Sequence, residues 1–414
     1  MADRSTEGVA SGPTRHRWFE SLLIRDFRLL LGSSVIVYGS GMMEMLVLGW
    51  LINDMTHSVG SVTLGAFLRF GPVLPMSLVA GTLADRFDRR KILILNQIGN
   101  IATLGIMGML ILSGSIELWQ IYAMAPVRGL FFAMELPVRR ALVMDLVGRE
   151  HITNAFSLDA ITLMAGSVLG PFGSGLLIDT LGPGASYLCM LGFSALAIVL
   201  LIVLSTPGQS SSAGGESMLQ NLIGGLRYAL THPVILPTFA ITLFMNLLVF
   251  PFRQVLPIFQ TDIYGVDATG LGMLNSVIGI GAVIGSLFLA VMGNRFLKSH
   301  VYILGSLIMG VLLILFSFSV FFHISLLLHF IHGIGFAGFH VMQGTIPLSV
   351  ADEDKRGRVM GAMQLAIGGG PLGILLVGAL ALALGVQMAV GIMAGVLTLL
   401  VVVMTMSASQ LRRV

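Results

Sequence analysis

The chain is a succession of long apolar runs separated by short polar connections. A helix needs about 20 apolar residues to cross the hydrocarbon layer of a bilayer, so each run of that length predicts one membrane-spanning helix. Twelve runs qualify, and they cover residues 29–52, 60–83, 92–113, 117–139, 152–178, 185–204, 234–258, 268–292, 300–321, 324–349, 357–384 and 386–406. The pattern therefore predicts an all-α membrane protein with twelve transmembrane helices.

The polar middle segment, residues 205–233, begins with STPGQSSSAGGES, a composition typical of a flexible linker. The following MLQNLIGGLRYALTHP has apolar residues at helical spacing, which predicts an amphipathic helix on the membrane surface. These apolar residues are Leu219, Leu222, Ile223, Leu226 and Leu230. The chain thus divides into an N-terminal segment (1–28), a six-helix half (29–204), the linker (205–233), a second six-helix half (234–406) and a tail (407–414).

The positive charges orient these predicted helices. Of the 23 Lys and Arg residues, all but Arg69, Arg128 and Arg253 lie at or beyond the ends of the predicted spans. They are concentrated in the N-terminus, the even-numbered connections and the C-terminus, whereas the odd-numbered connections have none. Because Lys and Arg favour cytoplasmic loops, we expect both termini in the cytoplasm.

The composition supports a membrane protein. Hydrophobic residues make up 56% of the 414 positions and charged residues only 10%, too few to cover the surface of a soluble domain of this length. The net charge of +3 is too small to suggest a nucleic-acid partner, and the single Cys189 excludes an intramolecular disulfide. The polar first residues, MADRSTEGVASGPTRHR, lack the apolar core of a signal peptide.

The two halves resemble each other. GTLADRFDRRK, at 81–91, follows the second predicted span, and a weaker counterpart, GNRFLKSH, follows the eighth. GSVLGPFGSG in the fifth span is paired with GGGPLGILLVG in the eleventh, and their Gly-Pro pairs start at Gly170 and Gly370. Such duplication is common in secondary transporters, whose substrate site lies near the membrane midplane between the halves.

These motifs resemble those of major facilitator superfamily transporters. GTLADRFDRRK is similar to that family's signature loop between helices two and three, and GSVLGPFGSG resembles its antiporter signature, except that Ser174 replaces a glycine. ELPVRRALVMDLVGREHITNAFSLDA, GGLRYALTHPV and DKRGRVMGAMQLAIGGGPLG further resemble the bacterial exporter branch that includes enterobactin and macrolide or multidrug exporters. One departure is that Gly129 directly follows Arg128, so a role for Arg128 is not transferred from the family's helix-four motif.

The resemblance implies an exporter in the bacterial cytoplasmic membrane that works by alternating access. The expected activity is proton-coupled efflux of a small amphipathic or anionic organic compound, such as a drug or siderophore. The proton gradient would supply the energy, without a cofactor, and the chain would act as a monomer. Uptake or lysophospholipid flipping on the same scaffold remains an alternative.

A transport-inactive membrane sensor is a further alternative from a different class, as is a membrane-embedded enzyme. HExxH, G-x-S-x-G and Walker GK[ST] motifs are absent from the sequence, which argues against metalloprotease, serine hydrolase and nucleotide chemistry. We therefore predict that the protein is not an enzyme and binds neither a nucleotide nor a resident metal.

The charged loop at 81–91 is predicted to act as a gating latch. The resemblance implies that Asp85 contacts the N-terminal end of helix eleven when the cytoplasmic gate is closed, since carboxylates are stabilised at helix N-termini. Gly81 would allow close helix approach, and Arg139 or Arg140 would complete an ion network. The remaining basic residues of the latch are Arg86, Arg89 and Arg90.

Charges inside the first half are predicted to form the substrate and proton site. At 1.5 Å per residue, Glu44, Arg69 and Arg128 lie at similar depths, ~12, ~14 and ~16 Å from the outer ends of their helices. We predict that ionised Glu44 neutralises one of the arginines and that its protonation frees an arginine for the substrate, although a buried pair that only fixes packing is the alternative. Glu135 and Asp159 are secondary proton candidates, and an i,i+4 pair with Arg139 also explains Glu135.

The second half presents different polar residues. Helix ten has four of them at helical spacing, His329, His332, His340 and Gln343, which form a candidate proton-carrying row on a cavity helix. On helix seven, Asn246 and Arg253 share a face. The Gly-Pro motifs are predicted to allow close helix contact and bending. Their residues are Gly166, Gly170, Pro171, Gly175, Gly370 and Pro371.

Overall fold

The structure is a computed structural model that describes residues 20–205, 218–292 and 295–413, and this part of the chain contains helices and no β-strand. The α-helices are α1 (Arg25–Thr56), α2 (Val59–Phe70), α3 (Val73–Arg86), α4 (Arg89–Leu112), α5 (Leu118–Leu181), α6 (Pro183–Ile202), α7 (Met218–Thr231), α8 (Ile235–Phe244), α9 (Leu256–Ile258), α10 (Ala268–Met292), α11 (Lys298–Phe318), α12 (Phe322–Val350), α13 (Arg356–Ile367), α14 (Gly370–Leu384) and α15 (Val386–Ser407). Short 3-10 helices span Glu20–Leu23, Phe250–Val255, Glu353–Lys355 and Leu411–Arg413, and π-helical turns span Met245–Val249 and Phe259–Tyr264.

Ten helical stretches in the described part of the chain are long and apolar enough to cross a membrane. The sequence predicts twelve spans, and two of these are not among the ten. Each of the two has a physical reason. The predicted span 60–83 is divided into α2 and α3 at Gly71 and Pro72, because proline interrupts the helical hydrogen-bond ladder. The predicted span 117–139 lies within the first part of α5, which includes several charged residues.

The helix α5 joins two predicted spans, 117–139 and 152–178, in one element of 64 residues. Gly148 interrupts it with a non-helical conformation (φ 67°, ψ 178°), which glycine adopts without a steric penalty. Gly182 (φ 83°) then links α5 to α6, and Gly385 (φ 84°) links α14 to α15 in the same way. The repeat that is visible in the sequence therefore includes two matching single-glycine connections.

The helices form two groups, α1–α6 and α8–α15. Within the first, α1 packs on α5 and α6; within the second, α12 packs on α10 and α11. The main contacts between the groups are α5 with α10 and α2 with α14. We call the end that bears Arg25, Arg89 and Arg358 the basic face, and the end that bears Ser58, Gly182 and Gly265 the opposite face.

The packing of apolar residues differs between these two faces. Toward the opposite face, one large cluster includes residues of both groups, from Leu51 and Ile178 to Phe259 and Val377. Toward the basic face the groups have separate clusters, one around Leu93 and Leu142 and another around Val359 and Met363. The groups are therefore joined at the opposite face and separate at the basic face.

Small residues bring α10 and α12 unusually close. A Cβ atom at Gly281 would lie 2.0 Å from the Phe330 carbonyl oxygen, and one at Gly333 would lie 2.2 Å from the Ile278 carbonyl oxygen. Lipid is as apolar as leucine, so helices in a membrane gain stability mainly from close packing of this kind.

The predicted surface helix is present as α7, which packs on α13. Its Ile223, Leu226 and Leu230 side chains are exposed, in agreement with an apolar face turned away from the protein. Those of Leu219 and Leu222 lie outside the described side chains. A Cβ atom at Gly225 would lie 2.0 Å from the Arg358 carbonyl oxygen. This close contact holds α7 against α13, which forms part of the wall of the cavity described next.

Candidate functional site

A cavity of about 670 Å³ lies between the two helix groups. Its inner end is near Arg69 and Gln254, and it extends to Arg140 and Arg358 at the basic face. The walls are mainly apolar and aromatic, with a few polar groups, which is typical of sites for small organic ligands. The aromatic wall residues are Tyr38, Phe70, Phe131, Phe132 and Phe250.

At the opposite face, direct hydrogen bonds between the groups close the cavity. The Asn53 amide on α1 donates to the Pro257 carbonyl oxygen (3.1 Å) and to Thr261 Oγ1 (3.2 Å). Asp179, near the end of α5, accepts hydrogen bonds from the backbone N–H groups of Ala268 (3.1 Å) and Thr269 (2.6 Å) at the start of α10. A carboxylate at a helix N-terminus satisfies N–H groups that lack an intrahelical partner.

Glu44, Arg69 and Arg128 meet at the inner end of the cavity, as the sequence predicts. Glu44 Oε2 lies 2.5 Å from Arg69 Nη2, and Glu44 Oε1 lies 3.4 Å from Arg128 Nε. All three residues are nearly inaccessible, with exposed fractions of 2%, 3% and 8%. One carboxylate faces two guanidinium groups, so the charges of this triad sum to +1.

The guanidinium donors of the triad outnumber their acceptors. Arg128 Nη1 donates to the Asn100 side-chain oxygen on α4. In contrast, Nε and Nη1 of Arg69 have no hydrogen-bond acceptor within the described residues. The Arg69 guanidinium instead lies over the rings of Phe70 and Phe132, at 5.8 and 5.6 Å from their centroids. The triad therefore has free hydrogen-bonding capacity for an added anionic or polar group.

Gly129, the departure from the family's helix-four pattern, explains how the triad assembles. A Cβ atom at this position would lie only 1.9 Å from the Arg69 carbonyl oxygen. The glycine thus lets α5 touch the backbone of α2 and brings Arg128 to the level of Arg69.

A second buried network lies nearer the basic face. Arg139 is fully buried, and its Nε donates to Glu135 Oε1 at 2.8 Å, so the i,i+4 pair considered for Glu135 is present. Arg139 also donates to Ser33 (3.3 Å) and Ser34 (3.1 Å) on α1. Asn96 on α4 donates to the second oxygen of Glu135 at 2.7 Å. Glu135 therefore links α1, α4 and α5 and also lines the cavity.

Asp159 lies beside this network on α5 and is buried. Its Oδ2 accepts a hydrogen bond from the Tyr38 hydroxyl (3.3 Å), and Tyr38 lines the cavity. Its Oδ1 has no hydrogen-bond partner among residues 20–205, 218–292 and 295–413. This placement leaves Asp159 available as the secondary proton candidate predicted from the sequence.

The polar residues of the second group are arranged differently from the prediction. The seventh predicted span, 234–258, corresponds in the structure to a series of α, π and 3-10 turns from Ile235 to Tyr264. Irregular turns of this kind are frequent at functional sites. Asn246 lines the cavity and donates to the Thr242 carbonyl oxygen at 2.9 Å. Arg253 is next to the cavity but not part of its wall.

The histidine row does not front the cavity as the sequence suggested. His329 and His332 are buried and pack on Phe252, with ring centroids 5.4 Å away in both cases. His340 stacks on Phe336 and contacts Gln343 at 3.0 Å. Helical spacing identified residues that share a face, but much of that face packs on neighbouring helices. No group of three or more His, Cys, Asp or Glu residues in the described ranges is arranged to hold a metal ion.

The basic residues of the predicted latch have other partners. Arg89 binds the Asp145 carboxylate, and Arg90 donates to the carbonyl oxygens of Leu201 (2.9 Å) and Ile202 (2.5 Å). Arg86 is exposed. The Asp85 side chain and position Gly81 lie outside the described side chains.

The predicted arginine contribution to the latch also differs. Arg139 is directed to Glu135 and α1 instead of the loop, because four acceptors surround it there. Arg140 lines the cavity. Arg139 therefore belongs to the buried core of the first group while the basic face is open, and the latch predicted for a closed gate stays a prediction.

The Gly-Pro motifs lie at close helix contacts. Cβ atoms at Gly166 and Gly170 would lie 2.8 and 2.6 Å from backbone atoms of Gly39 on α1. One at Gly175 would lie 2.4 Å from the Ala268 carbonyl oxygen on α10, so this motif packs against both groups. Pro171 contacts α10 at Gly272. Gly370 and Pro371 line the cavity at the start of α14.

Several site residues were missed from the sequence. Asn96, Gln97 and Asn100 lie in the apolar run of α4, and polar residues within such runs are functional candidates by default, so that signal was available. Gln254 lies in the predicted span 234–258 and gave the same signal, whereas Asp179 lies just beyond a predicted span and gave none. Their importance depends on contacts between the two groups, which sequence spacing does not reveal.

The chain is similar to known transporters over nearly its whole length. The profile of the transmembrane secretion effector family matches residues 18–414. The multidrug efflux pump Tap of Mycolicibacterium fortuitum is 25% identical over 370 residues, which cover 87% of this chain and 90% of that protein. The enterobactin exporter EntS of Escherichia coli O1:K1 / APEC is 31% identical over 240 residues, and this match covers 57% of this chain and 56% of the exporter.

Solved transporters share the fold at low sequence identity. The nucleoside transporter NupG superposes with a TM-score of 0.71 at 13% identity, covering 92% of this chain and 98% of NupG. A POT family transporter in complex with 5-aminolevulinic acid gives 0.73 at 14% identity, with 94% and 96% covered. The match over residues 18–414 and the efflux proteins among its relatives show that the chain belongs to the transmembrane secretion effector family, a branch of exporters within the major facilitator superfamily.

Proposed function

We propose that the protein is a proton-coupled exporter of a small amphipathic or anionic organic compound and that it works by alternating access. The observation that carries this proposal is the position of Glu44, a buried carboxylate that contacts Arg69 and Arg128, the two arginines that line the inner end of a cavity large enough for a small organic molecule. Buried ionisable groups inside membrane spans mark ion and proton pathways in transporters. The efflux proteins among the relatives support the direction of transport.

The proposed topology has twelve passes, with both termini in the cytoplasm of a bacterial cell and the protein in the inner membrane. Ten passes correspond to long apolar helices. The broken pair α2–α3 and the charged first part of α5 supply the other two. The excess of Lys and Arg at the basic face supports our placement of that face in the cytoplasm.

With this orientation, the cavity faces the cytoplasm and receives the substrate there. The hydrogen bonds of Asn53 and Asp179 then close the outer side. Rocking of the two groups would break these bonds, open the outer side and bring the groups together at the basic face. The Asp85 loop remains our candidate for the latch of that second state. No additional cofactor is needed, and a single chain contains the whole cavity.

Coupling follows from the charge of the triad. With Glu44 ionised the triad carries +1, and a bound anionic group of the substrate reduces this to zero. After the substrate has left on the outer side, Glu44 of the empty carrier takes up a proton, and the carrier returns with it. Export of substrate is thereby exchanged for proton uptake.

The test uses purified protein in proteoliposomes that contain a pH-sensitive dye. Candidate amphipathic and anionic compounds are added to wild type and Glu44→Gln, and proton movement is recorded. We expect substrate-dependent proton flux in wild type and its loss in Glu44→Gln, since glutamine cannot release a proton. Glu117→Gln is the matched control, because Glu117 is exposed and lies outside the cavity.

The other outcomes are distinct. Proton flux that survives in Glu44→Gln would move the proton site to Asp159 or to the α12 histidines. Saturable substrate movement without proton flux would make the protein a uniporter or a carrier coupled to another ion. Absence of movement for every compound would favour a transport-inactive sensor.

A further inference from the structure

Arg253 lies in a second, smaller chamber beyond the inner end of the main cavity. The chamber has a volume of about 30 Å³ and lies between α1, α5 and the irregular segment from Ile235 to Tyr264. Its walls include Met42 and Met45, which flank Glu44 on α1, so Arg253 lies near the level of the triad. Discontinuous helices of this type supply the ligand-binding groups of many transporters.

The Arg253 guanidinium has no ion-pair or hydrogen-bond partner among the described residues. The two other polar groups on the facing walls are neutral and do not bind Arg253: Ser167 donates to the Met164 carbonyl oxygen (2.7 Å) and Asn275 to the Leu271 carbonyl oxygen (3.1 Å). A cation inside a membrane protein without an anion is costly, and such residues are typically retained for a ligand or ion.

Gln254 separates the main cavity from the chamber. Its side chain lines both spaces, together with a third gap of about 10 Å³ beside Arg69. Like Arg253, Gln254 has no hydrogen-bond partner in the described part of the chain. Guanidinium donors without an acceptor among the described residues therefore lie on both sides of the Gln254 side chain: those of Arg69 on the cavity side and those of Arg253 beyond it.

We infer that Arg253 is the exit-side binding site for an acidic group of the exported compound. The inference rests on the proposed export function and narrows its substrate to organic acids with a carboxylate, sulfonate or phosphate group. A space of about 10–15 Å³ on this measure holds one water molecule, so the chamber of about 30 Å³ holds about two and is too small, as it stands, for such a compound. The acid reaches Arg253 when the Asn53 and Asp179 contacts open, after first binding at Arg69 and Arg128.

The experiment compares dansylglycine, an amphipathic carboxylic acid, with dansylglycinamide, its neutral counterpart. Binding of each probe to the detergent-purified full chain is measured by fluorescence, and efflux is measured in proteoliposomes. The proteins are wild type, Arg253→Gln, Arg253→Lys and Arg412→Gln. Arg412→Gln removes an exposed arginine far along the chain and controls for the loss of one positive charge.

In proteins that also carry Asp179→Asn, which favours the open outer side, we expect Arg253→Gln to weaken dansylglycine binding about tenfold or more, because a charge-assisted hydrogen bond is lost. Dansylglycinamide binding should not change. Arg253→Lys should restore binding of the acid to within about threefold, since it retains the charge without the planar fork. Efflux should show the same difference between acid and amide.

The inference is overturned if Arg253→Gln affects both probes equally or affects neither. It is also overturned if wild type binds neither probe or binds the amide as tightly as the acid. A selective loss of acid binding without efflux in any liposome would retain the site and reject the export function. Efflux of both probes that does not change in Arg253→Gln would retain the export function and reject the Arg253 site.

Discussion

The two helix groups place charge in the membrane interior in opposite ways. In the first group, buried carboxylates and arginines occur together, as in Glu44 with Arg69 and Glu135 with Arg139. In the second group, Arg253 has no carboxylate beside it in the described part of the chain. The first group has mainly long regular helices, whereas the span around Arg253 alternates between α, π and 3-10 turns.

This difference suggests a division of labour. Paired charges hold the first group together and contain a group that can exchange a proton. The second group has the irregular backbone, which permits local rearrangement, and an arginine that remains available for a ligand. The comparison makes contrasting predictions for variants in the two groups.

The largest effect is expected from removing one member of a buried pair. Arg139→Met leaves the Glu135 carboxylate buried without its cation and should lower the free energy of unfolding by about 3–5 kcal/mol. Arg253→Met removes a lone cation and should leave stability unchanged or increase it. Thermal unfolding of the purified proteins in detergent measures both changes.

The double variant Arg139→Met with Glu135→Leu provides the control, because it removes both charges and should regain most of the lost stability. Equal destabilisation by Arg139→Met and Arg253→Met would contradict the contrast between the groups.

A medium effect is expected at the opposite face, where the contacts between the groups are also unequal. Asp179 of the first group binds the N-terminus of α10, whereas at the start of α2 the apolar Leu382 side chain lies near Gly60. Asp179→Asn should weaken closure by about 1 kcal/mol, typical for the loss of a helix cap, and shift the population of closed molecules about fivefold.

This shift can be measured in a Cys189→Ser background as the rate at which an impermeant thiol reagent labels a cysteine placed at Leu271, which is buried in the chamber wall at this side. Leu382→Ala, which removes only apolar contact, is the matched comparison and should change the rate less. Equal labelling of wild type and Asp179→Asn would show that Asp179 does not hold this face closed.

The smallest effect is expected for an exposed pair of the second group. Lys355 Nζ donates to Asp352 Oδ2 at 2.8 Å and thereby lowers the pKa of Asp352 below its usual 3.8. The resulting stabilisation is present near neutral pH and is lost as the pH falls through the lowered pKa, because protonation ends the ion pair.

Asp352→Asn should therefore reduce the unfolding temperature only slightly at about pH 7, and wild type and variant should converge at a second, acidic pH below the lowered pKa of Asp352. Unfolding scans at the two pH values test this. A loss as large as that of Arg139→Met would remove the distinction between buried and exposed pairs.

The sequence predicted those features that depend on residues close together in the chain. Charged residues in apolar runs identified Glu44, Arg69 and Arg128, because such residues are costly in lipid. Helical periodicity also predicted α7, and the Gly-Pro motifs marked close contacts. The apolar runs also predicted helices on both sides of the polar middle segment.

Contacts between distant segments were not predictable in the same way. The four polar residues of α12 share a helical face, but the sequence does not state that His329 and His332 pack on Phe252. Arg139 was expected at a loop and instead binds Glu135 and α1. The break at Gly71 and Pro72 was present as a proline signal, but the apolar composition on both sides concealed it.

The unequal charge count of the triad has a consequence for the electrical behaviour of the protein. One carboxylate between two guanidiniums leaves a fixed positive charge at the inner end of the cavity. A charge that moves through the full membrane voltage changes in energy by about 2.3 kcal/mol per 100 mV. If the rocking of the groups displaces this charge across even part of the field, the resting voltage of the cell biases the empty carrier toward the cytoplasm, where it meets its next substrate molecule.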